Sequence, residues 1–157
     1  MIQRVQSIFL LLTAIVMISV LFLPLWDKTS TDGDEFISLT AIEMVYLEQG
    51  EVVTQKPTYY IGMLAGLAAI VALFSIFQFK NRLRQIQLGA LNSLLMGGSL
   101  GLTYYYTTKA NALLEPNIQG NFLAGFYVIA AGLFFNLLAN RFIRKDEKLV
   151  RSADRIR

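Results

Sequence analysis

The chain contains no cysteine and no histidine. Without cysteine there is no disulfide framework, no thiolate-held zinc or iron–sulfur cluster and no thiol nucleophile. Without histidine, the commonest haem ligand, the commonest metal ligand and the usual general base near neutral pH are missing as well. Charge is also scarce: 16% of residues are Asp, Glu, Lys or Arg, against about a quarter in ordinary soluble domains. Hydrophobic residues make up 55% instead, which points to lipid as part of the solvent. A length of 157 residues gives room for one domain.

Crossing about 30 Å of hydrocarbon takes roughly 20 apolar residues at about 1.5 Å each. Four stretches without a charged side chain reach that length: 7–26, 58–79, 88–108 and 122–140. The first follows Arg4 as a secretory signal would, but it is long for a signal core. It ends in Leu23-Pro24-Leu25-Trp26, which has no small-x-small cleavage site, so it reads as a retained span stopping at the interface.

Basic residues near spans stay on the cytoplasmic side. Arg4, then Lys80, Arg82 and Arg84, then Arg141, Arg144, Lys145, Lys148, Arg151, Arg155 and Arg157 all fall on one side of a four-span arrangement. Only Lys28, Lys56 and Lys109 fall on the other, where the first loop adds Asp27, Asp32, Asp34, Glu35, Glu43, Glu48 and Glu51. The expected fold is an all-α integral membrane protein. It would be a four-transmembrane-helix bundle with both ends cytoplasmic, a small structured outer loop over 27–57 and an amphipathic helix over 141–157.

The outer loop is too long to lack structure of its own. Thr40 and Glu43 have capping-box spacing, Leu39 and Met44 fit a hydrophobic staple, and Gly50 suits a helix end, which favours a short helix. The alternative pairs strands from 36–46 and 52–54 across a Gln49-Gly50 turn. Clustered Asp32, Asp34 and Glu35 also admit a hard cation, although acids in a loop are usually just solvated.

No Asp, Glu, Lys or Arg lies inside the four stretches, so nothing there indicates a proton relay. Polarity within them comes from amides and hydroxyls, including Asn92, Ser93, Asn136 and Asn140, groups that commonly bond one helix to another. Small residues four apart, Gly62 with Gly66 and Ser93 with Gly97 and Gly101, predict faces that touch a neighbouring helix. Gly132, Asn136 and Asn140 fall on one stripe of the last stretch.

In the tail, Arg141, Arg144, Lys145, Lys148, Arg151 and Arg155 gather on one side of a helix, opposite Phe142, Leu149, Val150, Ala153 and Ile156. Three readings stand side by side: a solvated extension of the last span, an interfacial helix on anionic lipid, and a docking helix for a cytoplasmic or membrane protein. Nucleic acid is not expected, because no aromatic row accompanies the charge.

Several segments resemble a known family. They are Met1-Ile2-Gln3-Arg4-Val5-Gln6-Ser7-Ile8, Leu23-Pro24-Leu25-Trp26, Lys80-Asn81-Arg82, Ala139-Asn140-Arg141, Ile143-Arg144-Lys145-Asp146-Glu147 and Leu149-Val150-Arg151-Ser152. Together they resemble the uncharacterised four-span membrane proteins of Bacteroidota in domain-of-unknown-function family 4293, over the whole chain. The resemblance implies a bacterial inner-membrane protein and supplies no activity, cofactor or catalytic residue. The expected function is accordingly non-enzymatic: a small subunit or assembly factor of a membrane complex. The alternative is a small transporter or channel whose polar interior is lined by Asn92, Asn136 and Asn140.

Overall fold

The computed structural model describes residues 2–79, 81–114 and 118–154. Helix α1 (Ile2–Ser19) runs into a 3-10 turn (Val20–Phe22) and is followed by strands β1 (Trp26–Thr29), β2 (Glu35–Leu39), β3 (Glu43–Glu48) and β4 (Glu51–Pro57). Helices α2 (Tyr59–Phe77) and α3 (Arg82–Asn111), strand β5 (Asn121–Phe122) and helix α4 (Ala124–Asp154) complete the chain. The strands form one antiparallel sheet in the order β4-β3-β2-β1-β5.

The sheet overturns the expectation of an all-α four-helix bundle. The segment 27–57 folds as hairpins, and the signals that favoured a helix serve them instead. The Thr40 hydroxyl accepts from the amides of Ile42 and Glu43, at 3.3 and 3.1 Å, as a helix cap would. Here it closes the turn between β2 and β3, where the Thr40 amide also donates to the Glu43 carbonyl at 2.9 Å. Leu39 and Met44, spaced like a staple, face each other as a cross-strand pair. Gln49 and Gly50 both take positive φ, 52° and 83°, the geometry of a two-residue hairpin turn whose twist matches that of the flanking strands.

Each long helix buries a narrow stripe. On α3 it is Gln85, Gly89, Asn92, Met96, Ser99, Thr103, Thr107 and Ala110, advancing mostly by alternate steps of four and three. On α2 it is Ile61, Ala65, Ala68, Ala69, Ala72 and Ser75. The opposite faces carry exposed apolar side chains such as Ile8, Leu11 and Ile15 on α1, Met63, Leu67, Ile70 and Phe74 on α2, and Phe134 and Leu137 on α4. So much outward apolar surface marks contact with something other than water. Val5–Phe22, Tyr59–Phe77 and Ala124–Val150 are long and apolar enough to cross a membrane. Helix α3 is longer than either of the first two, but the amides and hydroxyls of its buried stripe lower its hydropathy and keep it out of that set.

The helices pack in a ring, α1 on α2 and α4, α3 on α2 and α4. At one end the sheet is bonded to them. The Gly62 amide, in the first turn of α2, donates to the Ala41 carbonyl at 2.9 Å, and the Gly125 amide at the start of α4 donates to the Pro24 carbonyl at 3.0 Å. Two of the orphan donors at helix N-termini are met in this way. Trp26, Ile37, Leu39, Ala41 and Met44 join Ile61, Ala65, Ala110 and Leu114 in one buried cluster under the sheet.

At the other end, α4 continues unbroken to Asp154, so the basic tail is a prolongation of the helix rather than a separate one. Its 31 residues rise about 46 Å, more than the hydrocarbon thickness. Ile143 is buried and the Phe142 ring stacks on Phe9 of α1 at 5.6 Å, so the start of the tail belongs to the packed core.

Candidate functional site

The most polar part of the interior is a seam between α3 and α4. Antiparallel packing brings Gly89 of α3 opposite Asn136 and Asn140 of α4, and the missing side chain at Gly89 is what admits them: a Cβ there would collide with the Asn140 carboxamide. Asn136 Nδ2 donates to the Gly89 carbonyl at 2.8 Å and to Ser93 Oγ at 2.9 Å. Ser93 Oγ donates to the same carbonyl at 3.0 Å, and Asn92 Nδ2 reaches Asn136 Oδ1 at 3.4 Å. Such bonds between helices away from water contribute about 0.6 kcal/mol each, up to roughly 1.7. Toward the basic end, Gln85 Nε2 donates to the Ser75 carbonyl at 2.8 Å and joins α3 to α2.

The seam opens at the basic end into a groove of about 660 Å³ between α3 and α4. Its walls are Ala90 and Ser93 on α3 and Leu137, Asn140, Arg141, Arg144, Lys145 and Lys148 on α4. Beside it, Arg82 Nε pairs with Asp146 Oδ2 at 2.8 Å and ties the first turn of α3 to the extension of α4. Asn81 sets that turn: it caps α3, its side-chain oxygen accepting from the Arg84 amide at 3.1 Å.

Of the residues singled out for helix packing, Asn92, Ser93, Asn136 and Asn140 meet in the seam, and Gly132 lies against Met17, Val16 and Met96. Gly62 touches the β2–β3 turn rather than a helix face alone. Gly66, Gly97 and Gly101 have open space where a Cβ would stand; Gly97 and Gly101 are exposed. Their four-residue spacing marks a face, but the burial stripe of α3 runs through Met96, Ser99 and Thr103 on a different one. Arg141, Arg144 and Lys148 line the groove, Arg151 lies in the last turn of α4, and Arg155 lies outside the described residues.

Two contacts escaped the sequence reading. Lys28 on β1 is buried, and its Nζ donates to the carbonyls of Leu114 and, at 3.3 Å, Asn111, at the C-terminal end of α3 where the helix dipole favours a cation. Gly120 lies against the Trp26 indole, its amide donating to Asn111 Oδ1 at 3.2 Å. Only alternation along β1 signals that Lys28 points inward with Trp26, and that alternation requires the strand to be known.

At the far tip of the sheet, Asp32, Asp34, Glu35 and Glu48 surround a shallow pocket, and no three acidic side chains among the described residues are arranged to hold a metal ion. The nearby Tyr46 hydroxyl is pushed above its ordinary pKa by burial, then by its hydrogen bond to Glu35 and the charges of Glu35 and Glu48.

Helices that turn apolar side chains outward, bonded at one end to a small antiparallel sheet, define a membrane-type helical protein with a folded module at one end. Residues 2–156 match the family described as Domain of unknown function (DUF4293), and the chain belongs to it. No curated protein matches the chain.

Proposed function

We propose that this is a non-enzymatic protein of the bacterial inner membrane, a small subunit or assembly factor whose sheet offers a binding edge to a protein partner. The observation that carries the reading is strand β4. It is the edge of the sheet, six of its seven residues are exposed, and Val52 and Val53 are 60% and 53% exposed. An edge strand presents a row of free amides and carbonyls, a template for an extended segment of another chain. Helical spans rather than a closed barrel suit the inner membrane. The basic end of the helices, with Arg82, Arg84 and the α4 extension, belongs to the cytoplasm, and the acidic sheet to the outer side.

The absence of native cysteine makes orientation easy to test. In spheroplasts, an impermeant thiol reagent should label Glu51→Cys on the sheet and not Ser152→Cys near the end of α4. The reverse pattern overturns the orientation. For the partner, Val53 is the residue skipped at the irregularity between β3 and β4, where Leu47 faces Val52 and Tyr46 faces Thr54. Proline is tolerated on edge strands and at bulges, and it offers no amide to an incoming segment. Val53→Pro should fold normally and lose a stoichiometric partner that the parent protein retains in mild detergent. A parent protein that purifies alone, or a partner retained by the variant, defeats the reading.

A further inference from the structure

The groove at the basic end of α3 and α4 divides by chemistry along its length. One part of its wall is apolar, formed by Ala90 and by Leu137, which is 53% exposed. Its outer part is cationic. Arg141, Arg144, Lys145 and Lys148 follow at steps of three, one and three, so they share a side of α4 over two turns. Two polar side chains share the wall, Ser93 at the level of Asn136 and Asn140 beside the first of the cations, and the buried Asn140 Oδ1 has no donor within the protein among the described residues. Along α4 the wall passes from Leu137 through Asn140 to the cations, the order in which a phospholipid presents acyl chain, ester linkages and phosphate along a membrane normal.

We propose that this groove holds one anionic glycerophospholipid, with its phosphate among Arg141, Arg144, Lys145 and Lys148 and an acyl chain against Ala90 and Leu137. The volume falls within the usual range for small-molecule sites, about 300–1,000 Å³, and the open side leaves the second chain in the bilayer. Charge alone would serve a soluble phosphate equally well; the apolar half favours the lipid. A docked peptide fits poorly, since one laid along the apolar half of the groove would leave its backbone amides and carbonyls unpaired in hydrocarbon. The Arg82–Asp146 pair holds the cationic wall against α3, so the site is built into the fold and needs no partner to form. The inference rests on the membrane reading of the helices and not on the partner at β4.

The test uses the full-length protein in neutral detergent, with binding read by native mass spectrometry and by thermal stabilisation. The probes are dioleoylphosphatidylglycerol, dioleoylphosphatidylcholine and inorganic phosphate. Phosphatidylglycerol should bind one to one and at least about tenfold more tightly than phosphatidylcholine, and phosphate should not displace it. One cation near an anionic surface is equivalent to about fivefold in affinity, so Arg144→Gln with Lys148→Gln should weaken phosphatidylglycerol by roughly twenty-five-fold. Ala90→Trp at an exposed position keeps every charge and fills the apolar half, and it should weaken binding by about tenfold or more. Lys56→Gln with Lys109→Gln should change nothing. Equal affinity for the two lipids overturns the proposal. Unchanged binding by Ala90→Trp does so too, because it shows diffuse attraction to a basic helix. Displacement by phosphate makes the ligand a soluble anion. Should the double charge variant fail to fold, Ala90→Trp and the lipid comparison on the parent protein decide. No protein partner is present in the assay, so failure here leaves the β4 reading standing, and lipid binding alone decides this one.

Discussion

The sheet and the helices of this small protein differ in what they turn outward and in how much polarity they bury. Under the sheet, Trp26, Ile37, Leu39 and Met44 are buried, while Asp32, Asp34, Glu48 and Glu51 lie at its far tip and margins, as in any protein that folds in water. Among the helices the buried side chains include Asn92, Ser99, Thr103, Asn136 and Asn140 beside apolar ones such as Met17, Met96 and Ile129, and the outward ones include Leu91, Leu94, Phe134 and Leu137. The difference teaches that burial here does not mean apolar; it means shielded from whatever solvent that part of the chain meets. Where the solvent is hydrocarbon, Leu gains little by being inside, and small or hydrogen-bonding side chains hold helices together through close approach.

Glycine substitutions offer the sharpest way to break this comparison. Gly89→Leu should prevent α3 and α4 from closing over Asn140, at a cost of about 3 kcal/mol or more, since overpacking a close contact is strongly destabilising. Gly97→Leu and Gly101→Leu, which meet open space on the exposed face of the same helix, should leave thermal stability in detergent nearly unchanged. If all three lose stability equally, the outward face of α3 is buried against something and the contrast between inside and outside fails.

A smaller effect is expected where the two regions join. Lys28→Met removes a buried ammonium that serves the carbonyls of Asn111 and Leu114, and leaving those acceptors without a donor should cost about 2 kcal/mol. Hydrogen exchange should show the loss as faster opening of the last turn of α3 and of β1, while α1 stays protected. Uniform loosening of all four helices would mean that the sheet and the helices unfold as one unit.

The smallest effect is a gain. Gln49 holds a φ of 52°, a left-handed conformation that costs a side chain roughly 1 kcal/mol. Gln49→Gly should recover a few tenths of that, because the greater freedom of glycine in the unfolded chain offsets part of the relief. A melt of the sheet followed through Trp26 fluorescence would show it; a loss of stability would indicate that the Gln49 side chain makes a contact of its own.

Much of the helical part was legible in the sequence, because a charge-free run of some twenty residues leaves a chain few alternatives to a helix. Gly132, Asn136 and Asn140 fall on one stripe of α4, since spacing along a helix fixes which residues share a face. Spacing does not say which face is turned inward, and on α3 the apparent glycine face is the outer one. The loop 27–57 was harder to read. Thr40 with Glu43 and Leu39 with Met44 satisfy a helix start and a hairpin turn with the same local bonds, and the choice rests on partners distant in the chain.

Composition and the order of apolar runs determined by themselves that this chain would form long apolar helices with a basic end and an acidic loop, because hydrophobicity and charge act residue by residue. Tertiary structure decided the rest. It selected strands in the loop, since β1 finds partners in both β2 and β5, the latter almost a hundred residues further along. It also turned Lys28 inward onto the end of α3, and it brought Ala90 beside Leu137 and four cations to form a groove. Each of these depends on contacts between segments far apart in sequence, whose energies no local pattern contains.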